Sequence, residues 1–319
     1  MSTGLKQTDK DFPWTKSKVN KSKLFNVSSP NVQKASGFKQ ITYKGRVGII
    51  NRNMHHEKIL QSQIQGSALI PMDVYAMKNF DIIIYLGPFT HLRLKPLKRL
   101  TNEYPNTKLY IWWIGTDVYN AIHKLHGYNI EYVRKFPAVH LCVSEDLQRE
   151  LKLLGIHAEI ETLCPDVSEL KILPLPEGYT VAVYMPDLQR NFYKYDIIKK
   201  IITDTPDIKY IIYGNKGQLW ELVKMPNVDI RGWCDTKKVF QDSNCLLRLT
   251  THDGFPKSII EAICYGRYVV TNHNFPYTDL KNTIPEIINT IRKHPVIKPA
   301  VVDYYQNNYN FDGVKKRFN

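Results

Sequence analysis

The 319-residue chain carries 44 Lys and Arg against 30 Asp and Glu, a net charge of +14, and 43% of its residues are apolar. That composition supports one or two buried cores and excludes a disordered or fibrous class for most of the length. No window approaches the roughly 18 uninterrupted apolar residues of a membrane span, and the first ten residues lack the apolar centre of a secretory signal. A cytoplasmic, soluble protein of two domains is the expectation.

Residues 1–40 hold eight lysines against Asp9 and Asp11, a local charge of +6, and show no sustained apolar period. They read as a basic arm, either a tail or a segment that orders on a polyanion, with Phe12, Trp14, Leu24 and Phe25 available to pack or stack. From Arg46 the pattern changes. Candidate strands at 46–51, 80–86, 108–114, 138–143 and 158–162 are nearly continuous in apolar residues, and amphipathic stretches separate them, for example Leu147, Leu151 and Leu154. Such strands belong to a parallel sheet covered on both faces. Pro165, Pro174, Pro176 and Gly178 punctuate a linker, after which the alternation restarts. Strands are expected at 180–185, 210–213, 228–231, 245–249 and 268–271, with helices at 195–204, 218–224, 236–242 and 258–265. The reading is an α/β chain of two Rossmann-like βαβ domains. Its divisions are a basic arm (1–40), an N-terminal acceptor-side domain (41–165), a linker (166–178), a C-terminal nucleotide-binding domain (179–280) and C-terminal helices packing back on the N-terminal domain (281–319).

Ligands of open parallel sheets bind beyond the carboxyl ends of the strands. The richest loop there is T-T-H-D-G-F-P-K-S-I-I-E, residues 250–261. Gly254 permits close backbone approach, Pro256 suits a helix start, and a helix beginning at Lys257 or Ser258 offers free amides and a positive dipole end to a phosphate. Lys257 adds a full charge. Asp253 and Glu261, eight positions apart, repel a phosphate but accept hydrogen bonds from sugar hydroxyls flanking a diphosphate.

At these residues the sequence resembles the retaining GT-B glycosyltransferases of the group 1, family 4-like type. Their E-x(7)-E motif is similar to Asp253-Gly254-Phe255-Pro256, Glu261-Ala262, Gly266 and Val269-Val270, and Ile230-Arg231-Gly232-Trp233 resembles the segment preceding it. The N-terminal half is similar more loosely, through Ile114-Gly115-Thr116-Asp117-Val118 and Val143-Ser144-Glu145. The resemblance implies a GT-B fold whose two domains face each other across a donor cleft. It implies Asp253 on the transferred sugar and Glu261 on the nucleotide ribose. Arg190 and Lys194 are then a basic pair on the donor diphosphate, the four forming the catalytic set. Gly214, His252, Gly254, Phe255, Pro256, Lys257 and Ser258 line the donor pocket, and Thr116 and Asp117 face the acceptor. Each has a plainer reading: a basic surface loop for Arg190 and Lys194, a helix N-cap for Asp117, a loop brace for His252. Two departures stand out. Asp253 is one methylene shorter than Glu, and 50–54 lacks the glycine-rich turn that often follows the family's first strand.

No phosphate-loop, dinucleotide or nucleophile-elbow motif occurs, nor any H-E-x-x-H; the one D-x-D, Asp9-Lys10-Asp11, precedes every strand. The five cysteines form no C-x-x-C pair, and Cys142, Cys245 and Cys264 sit in apolar runs. The expectation is therefore a metal-independent enzyme with no cofactor, using a nucleotide-sugar such as a UDP-sugar as co-substrate. Its leading acceptor is a hydroxymethylated base in DNA, contacted through the arm, as in a phage-type DNA-modifying enzyme working in an infected host cell. One alternative is a transferase at the cytoplasmic membrane face acting on a lipid-linked or envelope glycan, with Leu and basic residues of 89–104 making peripheral contact with anionic lipid. Another is a non-catalytic nucleotide or sugar binder.

Overall fold

The computed structural model describes residues 45–50, 55–87, 91–125, 128, 130–164, 167, 170–216 and 220–319. The basic arm and residues 51–54, 165–166, 168–169 and 217–219 lie outside the described residues.

In the first half, β1 (Gly45–Ile50), β2 (Ala68–Ile70), β3 (Phe80–Leu86), β4 (Lys108–Trp113), β5 (Ala138–Cys142) and β6 (Ala158–Ile160) form one sheet in the order β2-β1-β3-β4-β5-β6. Every pairing is parallel. The connections carry α1 (His55–Gln63), α2 (Val74–Met77), α3 (His91–Glu103), α4 (Thr116–Ile122), α5 (Ile130–Arg134) and α6 (Glu145–Leu153). Ile82 through Leu86 are all buried, as a doubly covered parallel strand requires. Ser144 caps α6 by accepting from the Leu147 amide, and Glu145 and Asp146 load its first turn with charge favourable to the helix dipole.

The second half repeats the plan with β7 (Thr180–Tyr184), β8 (Lys209–Tyr213), β9 (Val228–Gly232), β10 (Cys245–Arg248), β11 (Tyr268–Thr271) and the two-residue β12 (Asp279–Leu280). Between them run α7 (Tyr195–Asp204), α8 (Trp220–Val223), α9 (Thr236–Gln241) and α10 (Lys257–Cys264). The order β12-β11-β10-β7-β8-β9, all parallel, is the Rossmann order, reversing direction between β7 and β10.

Of the segment 89–104, α3 takes up 91–103. Leu94, Leu97 and Leu100 are fully buried in the first core, so these three are not available to a lipid surface, and the helix runs through Pro96. Residues 170–178 contain no helix or strand, yet they are pinned. The Leu173 amide donates to Tyr265 O (3.1 Å), and the wholly buried Arg267 donates from Nη1 to Leu173 O (3.1 Å) and from Nη2 to Pro174 O (2.8 Å). Beyond the second sheet, α11 (Ile284–Arg292) packs on α7 and α12 (Pro299–Asn308) on α10. The next helix, α13 (Asp312–Phe318), returns to the first sheet. Phe318 lies 5.0 Å from Tyr110 and 6.2 Å from Trp112, ring to ring, and Arg317 pairs with Glu159 (2.8 Å) and Glu161 (3.0 Å).

On β5, His140 is buried and accepts from Trp113 Nε1 at 3.1 Å, and desolvation lowers its pKa to about 4. An unfolded histidine takes its proton at higher pH, so folding stability is complete above the ordinary value and declines as pH falls through that window. Urea unfolding at pH 7 and pH 4 is expected to differ by about 3 kcal/mol from this residue, and the pH slope is expected to flatten in His140→Gln.

Candidate functional site

In parallel sheets of this order ligands bind where the strand order reverses direction, here between β7 and β10, and the two loops that leave those strands are joined. The Thr251 amide, in the loop after β10, donates to Phe192 O in the loop after β7 at 2.7 Å. The β7 loop carries both predicted basic residues. Arg190 is half-buried, its guanidinium 5.6 Å from the centre of the Tyr195 ring. Lys194 occupies the N-cap position of α7 in a left-handed conformation (φ 52°, ψ 41°), unusual for a residue with a Cβ.

The β10 loop is shaped by Gly254. A Cβ there would stand 2.4 Å from Ile114 O and 3.1 Å from Gly115 Cα, so this loop presses directly on the end of β4 in the first sheet. His252 extends the contact, its Nε2 lying 2.8 Å from Glu150 Oε2 on α6 and its ring 5.6 Å from Tyr119. Phe255 turns into an aromatic cluster, 4.7 Å from Tyr309 and 5.4 Å from Phe275. Pro256 holds the N-cap position, and α10 starts at Lys257 as the spacing predicts. Lys257 Nζ lies 3.2 Å from Glu261 Oε1, one turn on. Burial raises the pKa of Glu261, and Lys257 opposes that rise. Ser258 Oγ, in the first turn, is buried without a hydrogen-bond partner among the described residues. With the amides of a helix start, it gives this corner donors to offer a ligand.

The remaining predicted residues divide. Gly214 ends β8 with φ +86°, and a Cβ there would meet the Tyr184 ring at 2.3 Å, so the glycine lets that ring lie over the strand end. Thr116 is exposed at the start of α4. Asp117 is buried, and its carboxylate is engaged by its own backbone. It accepts from the amides of Ile114 (3.1 Å), Gly115 (2.7 Å) and Val118 (3.0 Å), and a Cβ at Gly87 would sit 2.6 Å from it. Gly115, not Asp117, is the N-cap residue of α4; the carboxylate braces the turn that meets Gly254. Burial raises its pKa while those amides pull it down.

Sequence reasoning missed Arg248, the last residue of β10, which pairs with Asp253. It also missed the aromatic floor beside it, Tyr184, Tyr193 and Tyr213, and Trp233, 67% exposed with its ring 6.4 Å from Tyr184. The available signal was an arginine closing an otherwise apolar strand, five residues before an aspartate. Among the described residues no group of three or more His, Cys, Asp or Glu is placed to hold a metal ion, and no helix is long and apolar enough to cross a membrane.

Two parallel six-stranded α/β halves, meeting at the carboxyl ends of β4 and β10, are the two-domain GT-B glycosyltransferase fold. No protein-family model and no curated protein matches the sequence. Among solved structures, the chain is similar to HepE from Anabaena in complex with UDP-glucose, with a TM-score of 0.66 and 10% identity over 86% of this chain and 98% of that one. It is also similar to sucrose-phosphate synthase from Thermosynechococcus elongatus (TM-score 0.60, 12% identity, 76% and 75% covered). With TarM of S. aureus the TM-score is 0.55 at 15% identity, and the chain spans 56% of that protein's length.

The Gly254 contact is testable. Gly254→Ala inserts a methyl where no space exists, and the expected cost is about 1–3 kcal/mol, read as a lower thermal unfolding midpoint. An unchanged midpoint would show that the two halves separate freely at this point.

Proposed function

We propose that this protein is a retaining glycosyltransferase that moves a sugar from a nucleotide-sugar, a UDP-sugar being the leading donor, to an acceptor hydroxyl. The observation that carries the reading is the junction of the β7 and β10 loops at the Rossmann switch point. On this reading Arg190 and Lys194 of the first loop, and the α10 helix start with Ser258 and the buried Glu261 that follow the second, serve one donor site. A positive end, two cations and a hydroxyl suit a diphosphate; a carboxylate beside them suits the ribose hydroxyls. That HepE, similar in fold, was solved with UDP-glucose supports the choice of donor. The E-x(7)-E-like spacing of Asp253 and Glu261 supports retention.

In this mechanism the bond from the anomeric carbon to the diphosphate oxygen breaks as Lys194, Arg190 and the α10 amides stabilise the charge on the leaving group. The acceptor oxygen bonds to the same face, and its proton passes to the departing phosphate oxygen. No protein nucleophile and no metal is required; the chain positions and neutralises. For the acceptor, the +6 arm at 1–40 supports a polyanion, with a hydroxymethylated base in DNA the first to test. Burial of Leu94, Leu97 and Leu100 withdraws those three leucines from the lipid-surface alternative.

The test is UDP release from a panel of UDP-sugars, with and without hydroxymethylated DNA. Lys194→Ala is expected to lower turnover about 100-fold, and Glu261→Gln to weaken UDP binding about tenfold, with circular dichroism unchanged. Wild-type behaviour in both variants would remove these residues from the site. Nucleotide binding without turnover of any donor would instead identify a non-catalytic binder.

A further inference from the structure

Arg248 has no part in the reading above, yet it lies at its centre. Its side chain is 10% exposed, its guanidinium carbon stands 5.7 Å from the ring centres of both Tyr184 and Tyr193, and two of its nitrogens reach one oxygen. Nε lies 2.9 Å and Nη2 2.8 Å from Asp253 Oδ2. A guanidinium in so closed a place is costly unless it is paired, and the carboxylate and two ring faces do the pairing. Burial disfavours its charged form, but Asp253 and Tyr193 more than restore it, so that the pKa is raised.

The effect on Asp253 is the informative part. A carboxylate offers about four lone pairs, two on each oxygen. Oδ2 receives Nε, Nη2 and, at 3.3 Å, Thr250 Oγ1, which saturates it; Oδ1 receives the Gly254 amide at 3.1 Å. One acceptor position on Oδ1 is left. A glutamate would carry its carboxylate about 1.5 Å, one C–C bond, farther from the chain and could not occupy this cage in the same geometry.

We propose that Arg248 is a positioning residue for sugar recognition: it draws the Asp253 carboxylate back toward the end of β10 and leaves Oδ1 as a single acceptor for one hydroxyl of the donor sugar. The shorter acid and the strand-end arginine thus form one unit, and the replacement of glutamate by aspartate is matched by Arg248. The inference rests on the donor-site reading of the two loops.

The experiment compares Arg248→Gln, Arg248→Lys, Asp253→Asn and the Arg248→Gln/Asp253→Asn double variant with the full-length wild type. UDP binding is measured by calorimetry, and turnover with the UDP-sugar the wild type uses best. Each single variant is expected to lose about tenfold or more in kcat, while the Kd for UDP, which lacks the sugar, moves less than about threefold. Arg248→Lys, which keeps the charge but not the fork, is expected to be as impaired as Arg248→Gln. The double variant is expected to be no worse than the weaker single, because the two residues act as a pair. Additive losses, or a Lys variant with wild-type kcat, would overturn the proposal while leaving the donor site standing. A wild type that binds neither UDP nor any UDP-sugar would overturn both. Should Arg248→Gln fail to fold, Asp253→Glu decides: a loss of about tenfold in kcat with UDP affinity kept is expected, and wild-type turnover in that variant would refute the pairing.

Discussion

The structure depends on one backbone contact. Ile114 O and Gly254 Cα belong to different sheets, and the space between them admits no side-chain carbon. Because both residues lie just past the carboxyl end of a strand, the contact sets the ligand-binding edges of the two sheets face to face. Gly115 allows it from one side, holding φ 141°, a backbone state that side chains resist. Asp117 secures that turn by capturing the amides that the loop leaves free. The residue that the sequence suggests for acceptor chemistry thus acts as a brace, and it is buried for that reason.

Much of this was legible. Uninterrupted apolar strands require a parallel sheet covered on both sides, and the alternation with amphipathic stretches yields two βαβ halves without further information. The start of α10 was readable from Gly254, Pro256 and Lys257, each with its own backbone reason. Short edge strands were not: β2 and β12 contain three and two residues, too few for a period-two pattern to register. The pairing of Arg248 with Asp253 escaped because an arginine after apolar residues is locally indistinguishable from a strand ending in solvent. Only the fold of the loop returns the carboxylate to it. Pro96 lies inside α3, where the burial of Leu94, Leu97 and Leu100 outweighs one lost backbone bond.

The surplus of positive charge is distributed unevenly in its work. Arg317 and Arg231 are occupied in ion pairs with two carboxylates each, Arg267 with backbone carbonyls that fasten the 170–178 segment, and Arg248 with Asp253. The effect of these pairings is to withdraw cations from the pool that a polyanion can attract. Arg190, against the Tyr195 ring, and Lys194, at the head of α7, belong to the β7 loop.

Lys194 carries a further consequence. A residue with a Cβ in the left-handed region gives up about 1 kcal/mol or more, and Gln189, five residues earlier, is held the same way with φ 61°. The β7 loop is therefore a sprung segment, kept in shape by Thr251 on one flank and by α7 on the other. A loop held in this way does not need a ligand to organise it: the folding of the domain has covered the cost of ordering it. At Lys194 a comfortable backbone has been given up, and the conformation of the loop is the one that its flanking contacts impose.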